Sequence, residues 1–113
     1  MTTIYHNPRC RKSRETLQLL EAAHETISIV KYLEEPPSEK ELAHILTMLK
    51  IPAIQLVRKN EALWKEQFKG REFSESELVQ IMVQNPKLIE RPIVLKNGKA
   101  ALGRPPENVK EIL

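Results

Sequence analysis

The chain has 113 residues, 41% of them hydrophobic and 29% charged, with a formal net charge of +3 and a single cysteine. That length supports one hydrophobic core but not two, and the small positive balance gives no argument for nucleic acid. No apolar run approaches a membrane span, the Met1-Thr2-Thr3-Ile4 start has no secretory pattern, and a lone cysteine cannot staple a secreted fold, so a cytoplasmic protein away from the membrane is expected.

Thr3-Ile4-Tyr5 is a short β-type run that stops at the turn signal His6-Asn7-Pro8. A helical pattern starts at Arg11, with Leu17 and Leu20 on one face, Thr16 and Leu19 beside them, and it fades at Ala22-Ala23. Ile27 to Leu33 alternates, with Ile27, Ile29 and Leu33 expected on one side of a second strand. Strand, helix and strand make a βαβ unit, which requires parallel pairing and a right-handed crossover.

Pro36-Pro37 ends that strand, and Ser38 with Glu41 forms a capping box ahead of Leu42, Ile45, Leu46 and Leu49. A short helical turn is expected from Pro52 through Val57. Leu63, Trp64 and Phe68 suggest a helix with an apolar face, and Ser74 with Glu77 opens another that Asn85-Pro86 stops. Residues from about 38 to 85 therefore read as an all-helical block. Pro92 to Lys96, Asn97-Gly98 and Lys99 to Leu102 make a hairpin with a type I′ turn, and Gly103-Arg104-Pro105-Pro106 leads into a last short helix. The order is βαβ, a helical block, then ββα: an α/β fold with an insertion between its halves.

The chemistry centres on Cys10. Placed where the first helix begins, its thiol meets unpaired backbone N–H groups and the positive end of the helix dipole, which favour the thiolate. Four of the six residues from Arg9 to Arg14 are basic, namely Arg9, Arg11, Lys12 and Arg14. Basic residues in a first turn oppose the dipole by roughly 0.3–1 kcal/mol each, a mismatch that makes sense if an anion sits there. Ser13, one helical turn on, could donate a hydrogen bond to the sulfur. It also stands where a C-x-x-C motif would put its second thiol, so an oxidised or adduct state would need an external thiol.

His6 and Asn7 precede the proline of this loop. The histidine fits a base or positive neighbour of the thiol, and equally a hydrogen-bonded residue at a strand end. His24 and His44 read as surface residues, and the single cysteine and scattered histidines lack metal-ligand spacing. Arg58 ends the turn after Pro52, while Arg91 and Arg104 each precede a proline at an element boundary. Pre-proline geometry is extended, which could aim both guanidinium forks at one tetrahedral oxyanion.

Taken together, H-N-P-R-C-R-K-S-R-E-T-L from His6, then L-V-R-K-N, L-I-E-R-P-I-V and G-R-P-P-E, resemble the glutaredoxin-coupled arsenate reductases of the ArsC family, in order and over about residues 3–113. The resemblance implies a single thioredoxin-like domain with a helical insertion, and a cis bond before Pro92 beside the active-site loop. It makes Cys10 the nucleophile, with His6 lowering its pKa and Ser13 bonding its sulfur. Arg58, Arg91 and Arg104 become the oxyanion-binding arginines.

The implied activity is reduction of arsenate to arsenite through one cysteine, with glutathione as co-substrate, glutaredoxin as partner and no bound cofactor or metal. A monomer is expected, because no coiled coil or dimer face stands out. Where the family has small residues after the cysteine, this chain has Arg11-Lys12, which implies a shift toward a bulkier or more charged anion. Two other readings share the same residues: a glutathione-dependent thiol reductase, and an Spx-like protein that binds RNA polymerase.

Overall fold

β-branched and aromatic residues dominate Thr2–Tyr5 (β1), and in the computed structural model, which describes residues 1–113, this strand lies at the centre of a sheet. It pairs in parallel with Ile27–Val30 (β2), in the register Thr2 with Ile27 to Tyr5 with Val30. The helix Arg11–Ala22 (α1) makes the crossover between them. On its other side β1 pairs antiparallel with Ile93–Lys96 (β3), and β3 with Lys99–Leu102 (β4), giving the order β2-β1-β3-β4. Asn97 and Gly98 take φ of 51° and 75° at the tip of the β3–β4 hairpin, the left-handed pair that a type I′ turn needs.

The chain divides into two compact units, Met1–Glu35 with Arg91–Leu113, and Pro36–Glu90. The first is the thioredoxin-like βαβ–ββα unit. Its core joins Ile4 of β1, Leu20 of α1, Val94 of β3, Ala101 of β4 and Val109 of the terminal 3-10 helix Pro106–Ile112. Ile4, Leu20, Val94 and Val109 are fully buried, each stabilising the unit by roughly 1.5–3 kcal/mol.

The second strand departs from the expected alternation. β2 stops at Val30, and the backbone N–H groups of Glu34 and Glu35 both bond to Lys31 O, turning the chain. That turn carries Tyr32 inward, to 1% exposure, and leaves Leu33 in solvent. Ile29 is exposed as well, on the sheet's edge strand.

In the Pro36–Glu90 unit, Glu39–Leu49 (α2) and Glu75–Gln84 (α4) both begin with a complete capping box, at Ser38–Glu41 and Ser74–Glu77. Between them lie a 3-10 turn, Ala53–Leu56, and the short helix Ala62–Gln67 (α3), whose Trp64 packs with Phe68 and Phe73 at ring separations of 5.6 and 6.1 Å. The unit is not purely helical: Val57 forms an isolated antiparallel bridge with Ile89, flanked by Arg58 N–H to Leu88 O at 2.8 Å and Glu90 N–H to Leu56 O at 2.7 Å.

Candidate active site

The loop from β1 to α1 is held by hydrogen bonds at each residue. His6 N–H donates to Val30 O at 2.8 Å, so the β1–β2 ladder continues one residue past the strand and fixes the histidine. Asn7 then makes three bonds. Its carbonyl accepts from Cys10 N–H at 3.0 Å, its side-chain oxygen from Arg9 N–H at 3.0 Å, and its own N–H donates to Ser13 Oγ at 3.0 Å. Arg14 Nη1 donates to Pro8 O at 2.9 Å, closing the loop from the helix side.

Cys10 is the N-cap of α1, with φ −94° and ψ 124° and its carbonyl bonded to Arg14 N–H. An aspartate or serine there would cap the helix through oxygen. The Cys10 side chain forms no cap hydrogen bond as a neutral thiol, but the N–H groups of Ser13 and Lys12 favour its ionised form. The thiol is 8% exposed. Burial pushes it up; the N–H of Ser13, the charge and hydrogen bond of Arg91 and the N–H of Lys12 together outweigh burial and hold its pKa below the ordinary thiol value.

The contribution of Ser13 to the sulfur is thus its backbone N–H. Its hydroxyl, expected from the sequence to donate to the thiolate, lies instead 2.6 Å from His6 Nδ1 and accepts from Asn7 N–H. His6 itself is buried, and burial, reinforced by the charges of Lys31 and Arg14, lowers its pKa. That shift disfavours the protonated ring, and the contact His6 makes toward the site is with Ser13.

Cys10, Arg91 and Arg104 line one cleft of about 620 Å³. Two tight junctions bring the arginines there. Both Arg91–Pro92 and Arg104–Pro105 are cis, the second unforeseen from the sequence. Gly103 N–H donates to Pro92 O at 2.9 Å, and Arg104 Nη1 reaches Arg91 O at 3.3 Å. The approach depends on Gly103 having no side chain, since a Cβ there would lie 2.6 Å from Thr16 Oγ1 and 2.8 Å from Pro92 Cγ.

The helix side of the cleft is formed by Arg9, Arg11, Lys12 and Glu15. Arg11 Nε donates to Glu15 Oε1 at 2.8 Å, so two of the four basic residues near the cysteine are already engaged: Arg11 by this carboxylate and Arg14 by the loop. Sequence reading passed over Glu15, although its i,i+4 spacing from Arg11 was the available signal. Arg58 belongs to the Pro36–Glu90 unit, where its guanidinium lies 3.5 Å from Glu61 and 4.0 Å from Glu90. His24 and His44 are exposed, and no three His, Cys, Asp or Glu side chains gather to hold a metal ion. A thiol of lowered pKa at the head of a helix, in one cleft with two arginines, is suited to attack on a bound tetrahedral anion.

The model of the ArsC family matches residues 5–112 of the chain. The uncharacterized protein YfgD of Escherichia coli K12 is 51% identical over 112 residues, which cover 97% of this chain and 94% of that protein. An arsenate reductase of Neisseria meningitidis is 42% identical over 97% of this chain and 96% of its own. Among solved structures, an arsenate reductase from Vibrio cholerae superimposes with a TM-score of 0.95 at 47% identity, covering 99% of this chain and 97% of that one. No helix of the chain is long and apolar enough to cross a membrane.

Proposed function

The chain belongs to the ArsC family, and from that premise we propose that it reduces arsenate to arsenite through Cys10, with glutathione and glutaredoxin as external reductants. The observation that carries this reading is the Cys10 thiol, its pKa lowered at the head of α1, in one cleft with Arg91 and Arg104.

Arsenate sits against the two guanidinium groups, which offset its charge. The Cys10 thiolate forms an S–As bond while one As–O bond breaks, the oxygen leaving as water once protonated. Glutathione thiolate then attacks the Cys10 sulfur. An S–S bond forms, the S–As bond breaks, and its electron pair stays on arsenic, which leaves as trivalent arsenite. A glutaredoxin thiolate takes the glutathionyl group and returns Cys10 as thiolate. The chain's single cysteine supports an external resolving thiol. The scheme requires no bound cofactor or metal, suits a reducing compartment such as the cytoplasm, and needs only a monomer.

Arsenite formed by the purified protein, resolved from arsenate by chromatography, tests the scheme with each reductant omitted in turn. Formation only in the complete mixture is expected. Arsenite produced without glutathione or glutaredoxin would contradict the coupling, and none in the complete mixture would contradict the reductase.

A further inference from the structure

Glu15 is out of keeping with an anion site. The cleft around Cys10 is otherwise walled by Arg9, Arg11, Lys12, Arg91 and Arg104, and a carboxylate among them repels the oxyanion they would attract. An exposed i,i+4 pair does little for helix stability, so helix stability alone gives a weak reason for this acid to line the cleft.

The pair has a definite shape. Arg11 binds Glu15 through Nε and one carboxylate oxygen, with the two side chains 85% and 41% exposed. That bond leaves the guanidinium Nη groups and the second carboxylate oxygen unused by the pair. A carboxylate beside a guanidinium complements a group that carries an ammonium and a carboxylate on one carbon. An inorganic anion would use only the arginine, and a neutral thiol neither.

We propose that Arg11 and Glu15 form a subsite for the α-amino-acid head group of the thiol co-substrate, the γ-glutamyl end of glutathione, with its ammonium on Glu15 and its carboxylate on Arg11. The assignment rests on the glutathione coupling proposed above. A zwitterion adds no net charge to the cleft, so it leaves Arg91 and Arg104 to the oxyanion. The reach is suitable: Glu15 lies five residues beyond Cys10, about 7.5 Å along the helix axis, and an extended two-residue span covers roughly 7 Å. The cleft, at about 620 Å³, has the size of a site for a small organic molecule and exceeds what an inorganic oxyanion fills. Arg11 thereby acquires a role in selecting the thiol.

The test uses thiol chemistry without arsenate. Cys10 thiolate attacks glutathione disulfide, forming a Cys10–glutathione disulfide and releasing one glutathione thiolate, and intact-mass spectrometry gives the rate. The comparison substrate is the same disulfide acetylated on both γ-glutamyl amines, which removes the ammonium. The wild-type protein should prefer glutathione disulfide by about three- to five-fold, the scale of an exposed charge-assisted contact. In Glu15→Gln the ratio should fall to one or below. Arg11→Gln should instead lose discrimination against glutathione disulfide amidated at the γ-glutamyl α-carboxylates. Each ratio is taken within one protein, so a partial loss of fold does not imitate the result. No wild-type preference, or the same ratio in Glu15→Gln, would overturn the subsite. Absence of arsenate turnover with the preference intact would instead remove arsenate as substrate and leave the subsite standing.

Discussion

His6 Nδ1 lies 2.6 Å from Ser13 Oγ, and the same hydroxyl oxygen accepts a hydrogen bond from Asn7 N–H at 3.0 Å. One buried hydroxyl therefore ties the end of β1 and the start of the cysteine loop to the first turn of α1. The loop's conformation, and with it the direction of the Cys10 side chain, depends on this junction.

Replacing Ser13 by alanine should act on the fold more than on the thiol. The Asn7 N–H and His6 Nδ1 lose their partner, a loss of about 1–3 kcal/mol for buried polar groups. The Ser13 backbone N–H still faces the sulfur, so Cys10 should keep a pKa below the ordinary value. Denaturant titration and the pH profile of iodoacetamide alkylation measure the two effects. Unchanged stability with an ordinary thiol pKa would show that the hydroxyl, and not the main chain, ionises Cys10.

Arg91 and Lys12 should differ in the same assay. Arg91 acts on Cys10 through its side chain, whereas Lys12 does so through its backbone N–H. Arg91→Ala should raise the Cys10 pKa and weaken arsenate binding by roughly ten-fold or more, the scale of a lost charge-assisted hydrogen bond. Lys12→Ala keeps its N–H and should do much less. Equal or reversed effects would mean that Arg91 is misassigned.

Protein stability should fall on mild acidification for a reason located at His6. Its folded pKa is depressed below 6.5, chiefly by burial. The unfolded chain then takes up a proton that the folded one refuses, so this contribution is fully present above the unfolded pKa and is lost as pH falls from about 6.5 through the folded value. The difference in denaturation midpoint between pH 7 and pH 5 should be larger for the wild type than for His6→Asn. Equal differences would show that His6 carries no such strain on titration.

Gly103→Ala should destabilise the protein by about 1–3 kcal/mol, the usual cost of overpacking. The new methyl group would press on Thr16 and Pro92, both at the base of the cleft-forming segments. Thermal unfolding followed by circular dichroism measures it, and a neutral outcome would mean that α1 and the Pro92 segment can separate at no cost.

The features legible in the sequence are those that local rules govern. The Ser38 and Ser74 capping boxes, the Asn97-Gly98 turn and the position of Cys10 at the head of α1 each depend on residues a few places apart. The parallel β1–β2 pairing followed from the crossover helix between them. What escaped the sequence depends on distant residues meeting. The Val57–Ile89 bridge joins positions whose short extended runs give no signal alone. Gly103 matters only because Thr16 and Pro92 converge on it. Tyr32 replaces Leu33 indoors because of a turn at Lys31, which alternation cannot reveal. The Ser13 hydroxyl was legible as a neighbour of Cys10 by helical spacing, but the loop's return brings His6 and Asn7 to it first.

The most direct test of the proposed function is arsenate-dependent NADPH oxidation in the presence of glutathione, glutaredoxin and glutathione reductase, comparing the wild type with Cys10→Ser. Turnover in the wild type that disappears in Cys10→Ser is the expected result. No arsenate-dependent turnover in the wild type, or turnover that survives the loss of the thiol, would contradict the assignment of Cys10 as the nucleophile of an arsenate reductase.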